Sequence, residues 1–482
     1  MSENDPDLNK LYSWDKDFVW HAFTQMAEYE PLLIERGEGV YLFDTDGNRY
    51  IDGSASMWCN VHGHRHPRLD AAISNQLTKV AHTTNLGLSN PTTVHLAQRL
   101  AEITPSGLEK VFFSSDGSSA IEAALKIAFQ YWHQSEREES VASTNQTSQR
   151  RKFVSLGEAY HGDTLGAIGV GGVDRFTSIF SPLTFDAIRV AGPGMTASLS
   201  STGDGGPRLD ASSHTSTAAA TLSELENLFK NQGHEIAALI MEPLVQAAGG
   251  ILVHPPGFLR AVRELTHQFN ILLILDEIAV GFGRTGTMFA CEQENVSPDI
   301  LCLGKGLTAG YLPMAATITT TQIWKQFLGS HKDGRAFYHG HTFGGNPLAA
   351  AVALESLNLF EEEHLLEQLP ELIQELQDHV ARIAKLPHVG DTRQCGLVAG
   401  IDLVADKASG NPYPWEDKMG TVTCLAARQY GALLRQLGDT VVIMPPLSIS
   451  SSELADLLHA AECAIRETTE AVVSIPSGTQ LR

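Results

Sequence analysis

The stretch Ile271-Leu-Leu-Ile-Leu-Asp276-Glu277 places an acidic residue directly after five apolar residues. A second apolar run, Ile300–Leu303, then leads through Gly304 to Lys305. Short apolar runs that end in polar residues are typical of buried parallel strands, whose carboxyl ends carry the functional side chains. We therefore predict an α/β domain with a mostly parallel sheet, in which Asp276 and Lys305 lie at the same edge.

A strand-to-helix turn lies nearer the N-terminus. Val111–Ser114 predicts a buried strand, and apolar residues recur at helical spacing after Gly117 and Ser118. The recurring residues are Ile121, Ala124, Leu125, Ala128, Phe129 and Trp132. Free N–H groups at such a turn favour a phosphate, although helix capping by a serine explains the turn without any ligand.

One cofactor would use all of these parts. A pyridoxal phosphate enzyme needs a Schiff-base lysine, a carboxylate at the pyridine nitrogen, a phosphate cup and an aromatic residue beside the ring. Lys305, Asp276, the turn at Gly117 and Ser118, and Tyr160 supply these parts in that order. Taken singly, Asp276 is explained by helix capping and Lys305 by a solvated surface charge. The ordered set favours the cofactor.

The segments Asp276–Gly286 and Leu303–Thr308 resemble the signature of the class III aminotransferases of PLP fold type I. The resemblance covers nearly the whole chain. It implies a large domain with a mostly parallel central sheet and a smaller α+β domain, formed by the C-terminal part and the N-terminal segment. It also implies the activity of a transaminase.

The expected division is an N-terminal segment, 1–75, a large cofactor-binding domain, 76–347, and a small C-terminal domain, 348–482. Two stretches of low apolar content, 136–152 and 192–224, are predicted to be surface loops inserted in the large domain. In the C-terminal region the patterns predict helices at 348–360, 366–385, 421–437 and 452–467, and strands near 397–403 and 441–444.

Four further segments resemble the class III members of biotin biosynthesis, which aminate 8-amino-7-oxononanoate: Trp20–Met26, Trp58–His64, Glu158–Thr164 and His339–Pro347. In that resemblance Lys305 holds the cofactor and moves a proton, and Asp276 bonds the pyridine nitrogen. Gly117 and Ser118 bind the phosphate, while Tyr160 stacks on the ring and touches substrate.

The same resemblance implies a shared site. Gly340, His341 and Thr342 match a segment supplied by a neighbouring subunit, with Thr342 on the phosphate, so we expect a homodimer. Arg435 matches the arginine that receives the substrate's distal carboxylate, for which a planar guanidinium is suited. Residues expected to line the substrate pocket are Phe23, Met57, Trp58, Tyr160, Gly340 and Arg435.

Three positions leave the amino donor open. Phe23, Met57 and His341 stand where the members that use S-adenosylmethionine have tyrosine, tryptophan and proline. These three residues look more like those of members that use lysine. We expect S-adenosylmethionine, the donor of most of the family, with lysine as the alternative.

Other functions compete with this interpretation. Gly281-Phe-Gly283-Arg-Thr-Gly286 fits a dinucleotide-binding pattern, but such a motif should open a helix directly after a strand. A silent regulator with the same fold would lack Lys305 or Asp276, and both are present. An ω-amino acid:pyruvate aminotransferase is the stronger competitor. His62, His64 and His66 lie in a turn-like context, and we expect no metal.

The composition of the chain disfavours some classes of binding partner. The formal net charge of −22 disfavours nucleic acid and anionic membranes, which attract basic surfaces. Six scattered cysteines without a CxxC pair favour free thiols. The acidic start of the sequence lacks the pattern of a secretory signal, and no apolar run approaches the ~20 residues of a membrane span. We expect a cytoplasmic enzyme with small-molecule substrates.

Overall fold

The structure, a computed structural model, describes residues 6–139, 148–193 and 214–473. Its strands are β1 Ile34–Glu38, β2 Tyr41–Asp44, β3 Arg49–Asp52, β4 Leu108–Ser114, β5 Lys152–Leu156, β6 Ile188–Val190, β7 Ile236–Met241, β8 Val245–Gln246, β9 Leu252–Val253, β10 Leu272–Asp276, β11 Ile300–Leu303, β12 Ala315–Thr320, β13 Val389–Gln394, β14 Ala399–Leu403, β15 Ala432–Leu433, β16 Arg435–Leu437 and β17 Thr440–Ile443.

The helices are α1 Pro6–Phe18, α2 Ala55–Trp58, α3 Pro67–Leu77, α4 Pro91–Ile103, α5 Gly117–Glu139, α6 Leu165–Val170, α7 Asp174–Thr177, α8 His214–Gln232, α9 Phe258–Gln268, α10 Thr321–Lys325, α11 Pro347–Glu362, α12 Leu365–Ile383, α13 Met419–Ala426 and α14 Ser451–Val473. None of the helices in the described part of the chain is long and apolar enough to cross a membrane.

A seven-stranded sheet forms the centre of the fold, in the order β4-β12-β11-β10-β7-β5-β6. The pairs among β11, β10, β7, β5 and β6 are parallel, whereas β12 runs antiparallel to both β11 and β4. Six of the seven strands therefore point the same way. The predicted α/β fold with a mostly parallel sheet is confirmed.

Both faces of this sheet are buried. Alternate residues of a strand point to opposite faces: Leu272 and Ile274 pack in one apolar cluster with residues of α5, and Leu273 and Leu275 pack in another with residues of α9. A strand covered on both sides needs apolar residues at every position. This requirement explains the uninterrupted apolar runs of β7, β10 and β11.

The N-terminal strands meet the C-terminal part of the chain. β1, β2 and β3 form an antiparallel ribbon, and β15 adds to β3 in parallel with Ala432 opposite Ile51 and Leu433 opposite Asp52. A separate antiparallel sheet has the order β13-β14-β17-β16. The pairing of β15 with β3 supports a small domain built from both ends of the chain, although the boundaries at 75 and 347 remain predictions.

Four details of the sequence prediction were wrong. Phe129 of α5 is exposed, unlike the other members of its predicted apolar face. The predicted loop at 136–152 is helical as far as Glu139 and a strand from Lys152, and that at 192–224 is helical from His214. Residues 140–147 and 194–213 of these stretches lie outside the described residues.

The fourth error concerns the helix predicted at 421–437. Helix α13 spans Met419–Ala426, a 3₁₀ turn continues to Tyr430, and Gly431 then takes a φ of 80°. A glycine in this conformation ends a helix. After this glycine, β15 pairs with the distant β3 and β16 pairs with the adjacent β17, so Arg435 lies in β16 and not in a helix.

Candidate active site

Four strands deliver polar residues to one edge of the central sheet. β4, β5, β10 and β11 are mutually parallel, and their carboxyl ends lead to Gly117, Tyr160, Asp276 and Lys305 respectively. The register pairs Asp276 with Cys302, three residues before Lys305. The structure therefore brings together the aspartate, the lysine, the turn and the aromatic residue that the sequence singled out.

Asp276 is held rigidly at the end of β10. His161 Nδ1 donates a hydrogen bond to its Oδ2 at 2.8 Å, and the Ile278 N–H donates to Oδ1 at 3.0 Å. The carboxyl is 4% exposed. A carboxylate fixed through both oxygens keeps one orientation.

Lys305 is the buried amine of the site. It begins a 3₁₀ turn after β11 with a φ of 42°, which is uncommon for a residue with a side chain. Its Nζ lies 5.0 Å from the centre of the Trp58 ring. Burial lowers the pKa of Lys305, against the opposing influence of Asp276 and Glu242. Because the neutral amine is the nucleophile toward a carbonyl, the lowered pKa increases its reactivity.

The turn at Gly117 begins α5. Asp116 caps the helix by accepting a hydrogen bond from the Ser119 N–H at 2.9 Å, so the capping residue is an aspartate and not a serine. The first N–H groups of a helix have no helical acceptor, which leaves those of Gly117 and Ser118 available for an anion. A Cβ on Gly117 would lie 2.9 Å from Ile278, so the turn packs tightly against the loop after Asp276.

Tyr160 faces a group of aromatic residues. Its ring centre lies 6.0 Å from that of Phe176, which lies 5.4 Å from that of Phe23, both with edge-to-face geometry. The Tyr160 hydroxyl donates to Asp163 Oδ2 at 2.8 Å, and burial is the main cause of its raised pKa. Phe23 is 56% exposed and so remains accessible to a small molecule.

Residues Ala55–Trp58 form one turn of left-handed helix. Their φ angles are 46°, 46°, 72° and 70°, and the Trp58 N–H donates to the Ser54 carbonyl at 2.8 Å. Left-handed helix costs about 1–2 kcal/mol per residue with a side chain. Such strain persists only where the surroundings over-determine it. The turn buries Trp58 beside Lys305 and leaves Met57 partly exposed.

Asp52 anchors this turn. Its carboxylate accepts hydrogen bonds from Ser56 Oγ at 2.7 Å, His64 Nε2 at 3.1 Å and Ser54 Oγ at 3.2 Å. Burial alone would raise the pKa of Asp52, but the bonds from His64 and Ser56 outweigh it and lower the pKa. Asp52 is therefore a buried, charged carboxylate.

Arg435 is a cation without a carboxylate partner among the described residues. Its Nε is buried and lacks a hydrogen-bond acceptor there. Burial lowers the pKa of Arg435, while Cys424 and Tyr160 are near enough to oppose that change. An unpaired, largely desolvated guanidinium is costly unless an anion arrives from outside the chain.

Gly340, His341 and Thr342 are not brought to the site of their own chain. No hydrogen bond, ion pair or ring contact within the described residues joins them to Lys305 or Asp276. Gly340 and Thr342 are exposed, and the His341 ring packs against His339 at 5.1 Å. Their predicted role therefore depends on a second subunit.

The sequence did not single out Glu242, and it gave no separate role to His161. Glu242 follows the apolar run of β7, the same pattern that marked Asp276, and accepts hydrogen bonds from the N–H groups of Tyr160 and Ala247 at 3.2 and 2.9 Å. Burial raises the pKa of Glu242 to about 7. His161, which lies within the segment Glu158–Thr164, is the hydrogen-bond partner of Asp276.

The dinucleotide alternative does not fit the geometry. Gly281, Gly283 and Gly286 lie in a loop after β10, and the 3₁₀ turn Ala290–Glu294 is the next regular element. The motif therefore opens no α-helix, as a dinucleotide fingerprint must. The carbonyl oxygens of Leu397 and Pro445 accept hydrogen bonds from the Arg284 guanidinium, which gives that arginine a structural role.

The arrangement fits pyridoxal phosphate. Lys305 supplies a buried amine of lowered pKa, Asp276 a fixed carboxylate, and the start of α5 open N–H groups. The neighbouring His161 Nε2 is also buried and has no partner within the described part of the chain. A cofactor with a carbonyl, a ring nitrogen and a phosphate would satisfy these groups together.

Comparison with known proteins agrees with this arrangement. The family described as aminotransferase class-III matches residues 24–465. The chain belongs to this family, and it is a pyridoxal-phosphate-dependent transaminase.

Particular relatives share almost the full length. A protein of Geobacter sulfurreducens called adenosylmethionine-8-amino-7-oxononanoate aminotransferase is 46% identical, over 96% of this chain and 99% of its own. One of the same name from Aquifex aeolicus is 47% identical, over 98% and 100%. The crystal structure of the Methanocaldococcus jannaschii protein of that name superposes with a TM-score of 0.86 at 39% identity, over 96% and 99%. An omega transaminase from Pseudomonas jessenii in complex with PMP gives 0.86 at 30% identity, over 97% and 100%.

Proposed function

We propose that the chain transfers an amino group to 8-amino-7-oxononanoate to give 7,8-diaminononanoate in biotin biosynthesis, with S-adenosylmethionine as donor. Relatives of that name at 42–48% identity support the reaction and the donor. The observation that carries the proposal is the unpartnered Arg435 beside Tyr160. The acceptor ends in a carboxylate far from its keto group, and Arg435 offers that carboxylate a partner.

Each polar residue of the site has a proposed task. When bound, pyridoxal phosphate supplies an electron sink for the deprotonated substrate carbon and carries the amino group between the two substrates. Lys305 holds the cofactor covalently and, once released, moves a proton at its Nζ. Asp276, oriented by His161, bonds the ring nitrogen and keeps it protonated.

The phosphate and the substrates occupy the remaining groups. Gly117 and Ser118 bind the phosphate through their N–H groups at the start of α5. Tyr160 stacks on the cofactor ring and touches substrate. Phe23, Met57 and Trp58 form the pocket wall that both substrates contact.

Lysine is the alternative donor. Phe23 has no hydroxyl and Met57 no indole; both are exposed, and Phe23 packs against Phe176. A pocket that recognises a sulfonium nucleoside gains from specific polar and stacking contacts, and these two residues offer fewer of them. His341 in place of proline points the same way. The acceptor half of the reaction does not depend on this choice.

A homodimer in the cytoplasm completes the proposal. The exposed Gly340 and Thr342, together with His341, would reach the phosphate and substrate of the partner's site. The six cysteines, all within the described residues, are free, as is usual in a reducing compartment.

The test is a single-turnover absorbance measurement on cofactor-loaded protein, mixed separately with S-adenosylmethionine and with lysine. Loss of the cofactor band with one amine, restored by 8-amino-7-oxononanoate, establishes the acceptor and names the donor. No loss with either amine, or no recovery with the acceptor, refutes the proposal. Small ω-amines with pyruvate would then be the next pair to test.

A further inference from the structure

The left-handed backbone conformation of Ala55–Trp58 is energetically unfavourable, and the residue types of the turn do not reduce this conformational cost. Glycine adopts positive φ angles easily, yet none of the four positions carries one. The conformation must therefore be imposed by contacts. Asp52 accepts one hydrogen bond from Ser56 inside the turn and another from His64, and we call Asp52, Ser56 and His64 the Asp52 clamp.

We propose that Asp52 is a positioning residue of the transaminase: through the clamp it holds the left-handed turn that sets Trp58 against Lys305 and Met57 in the pocket wall. The inference rests on the pocket roles proposed above for Trp58 and Met57. It adds a residue that touches neither substrate nor cofactor.

Asp52 is itself fixed on both sides. It ends β3, where its N–H donates to the Val40 carbonyl at 2.8 Å and Leu433 lies opposite it in register. The next residue, Gly53, has no space for a side chain, since a Cβ there would lie 2.7 Å from both Leu434 and Leu457. The carboxylate thus projects from a backbone that cannot shift.

The two carboxylate oxygens of Asp52 bind different parts of the turn. Oδ1 accepts from Ser54, where the chain enters the turn, and Oδ2 accepts from Ser56 inside it. His64 Nε2 also donates to Oδ2, while its Nδ1 accepts from Asn60 just after the turn at 3.2 Å. The clamp therefore spans the turn from its entry to its exit.

The clamp determines the positions of Met57 and Trp58, the last two residues of the turn. The Trp58 ring lies 5.0 Å from Lys305 Nζ, and Trp58 Nε1 has no partner within the described residues. No hydrogen bond of its own side chain therefore holds the indole in place. Without the clamp the backbone would relax toward right-handed conformations, and both Met57 and Trp58 would turn away from the site.

Asp44 provides a matched control. It ends the neighbouring strand β2, is 2% exposed against 1% for Asp52, and also has a lowered pKa. It accepts hydrogen bonds from Asp46, Asn48 and Tyr50, none of which belongs to the turn. The same substitution at Asp44 removes a buried charge without touching the clamp.

The experiment compares Asp52→Asn and Asp44→Asn as cofactor-loaded enzymes. Both should lower the melting temperature. Only Asp52→Asn should raise the KM for the amine donor about tenfold, because small displacements of substrate-positioning groups have effects of this size. It should also reduce the quenching of Trp58 fluorescence by bound cofactor, with the Trp58 share obtained by subtracting the signal of Trp58→Phe. Equal KM changes in both variants would overturn the proposal.

A rescue separates positioning from general damage. Ala55→Gly places a residue that tolerates a φ of 46° at the start of the turn. Added to Asp52→Asn, it should recover part of the lost donor affinity and of the Trp58 signal; no recovery of either would contradict the clamp. If Asp52→Asn does not fold, Ser56→Ala removes one clamp bond and should show the same changes more weakly. The fluorescence measurement needs only cofactor, so its outcome stands even if 8-amino-7-oxononanoate proves not to be the acceptor.

Discussion

The two sides of the active site are built in opposite ways. The cofactor side uses the ends of buried parallel strands of the central sheet: Asp276 ends β10, and Lys305, with a single positive φ, follows β11. The pocket side uses a strained left-handed turn, held by a carboxylate at the edge of another sheet. Chemistry common to a family can rest on a regular scaffold, whereas the wall that we propose contacts the substrates is held by local contacts. Substitutions on the two sides should therefore impair the enzyme in different ways.

The largest effect is expected at Lys305. Lys305→Ala removes both the covalent attachment and the proton carrier, so turnover should fall by at least about 10⁴-fold. Cofactor should still bind non-covalently, since Asp276 and the α5 turn remain. Absorbance titration and steady-state assays measure the two quantities separately. Retention of substantial turnover would place the nucleophile elsewhere.

Asp276→Asn tests the other half of the cofactor side. The amide cannot keep the ring nitrogen protonated, so kcat should fall roughly 10²–10³-fold, as when a preorganised electrostatic partner is removed. The melting temperature should change little. Asp299→Asn is the control, since Asp299 immediately precedes β11, at the end of that strand away from Lys305, and is paired with Arg263 of α9. An unchanged kcat in Asp276→Asn would refute the role.

Arg435→Ala should affect the pocket side alone. We expect the KM of the acceptor to rise about 10- to 100-fold, because a charge-assisted, bidentate pair is lost, with kcat nearly unchanged. The methyl ester of the acceptor should bind wild type and variant alike. A variant that discriminates between acid and ester as strongly as wild type would show that another residue receives the carboxylate.

The donor residues should give a smaller change. Phe23→Tyr with Met57→Trp restores a hydroxyl and an indole to the wall, which should shift kcat/KM toward S-adenosylmethionine over lysine by about tenfold. The acceptor KM serves as the internal control and should stay constant. A shift toward lysine would mean that these side chains do not form the donor pocket.

The smallest effect is one of pH. Burial lowers the pKa of Lys305, so its neutral form should appear at lower pH than for an ordinary lysine of pKa about 10.4. The rate of covalent attachment of cofactor to apoprotein should rise with pH. The midpoint of this pH dependence should lie below that measured for Nα-acetyl-lysine, whose ε-amine is free. Stopped-flow absorbance, with borohydride trapping to identify Lys305, measures it. A midpoint equal to that of the free amine would contradict the burial argument.

The sequence correctly placed Asp276 and Lys305 at one edge of the central sheet, because the relevant strands are buried on both faces and read as continuous apolar runs. The same pattern was available for Glu242 and was not used. The pocket side was harder. No glycine marks the turn at Ala55–Trp58, and its φ angles depend on hydrogen bonds that only the fold creates. Arg435 was placed on a helix because its strand is only three residues long and pairs with the nearby β17, so no extended alternating pattern marks it.

The parallel pairing of β3 with β15 also means that β3 cannot complete its pairing until late in translation. Leu433 leaves the ribosome 381 residues after Asp52, its neighbour in the sheet. At about 5–20 residues per second the delay is roughly 20–75 s. Through that interval one edge of β3 has no strand to join, and an open edge invites association with other chains. Covering this edge of β3 during synthesis should therefore reduce association between growing chains.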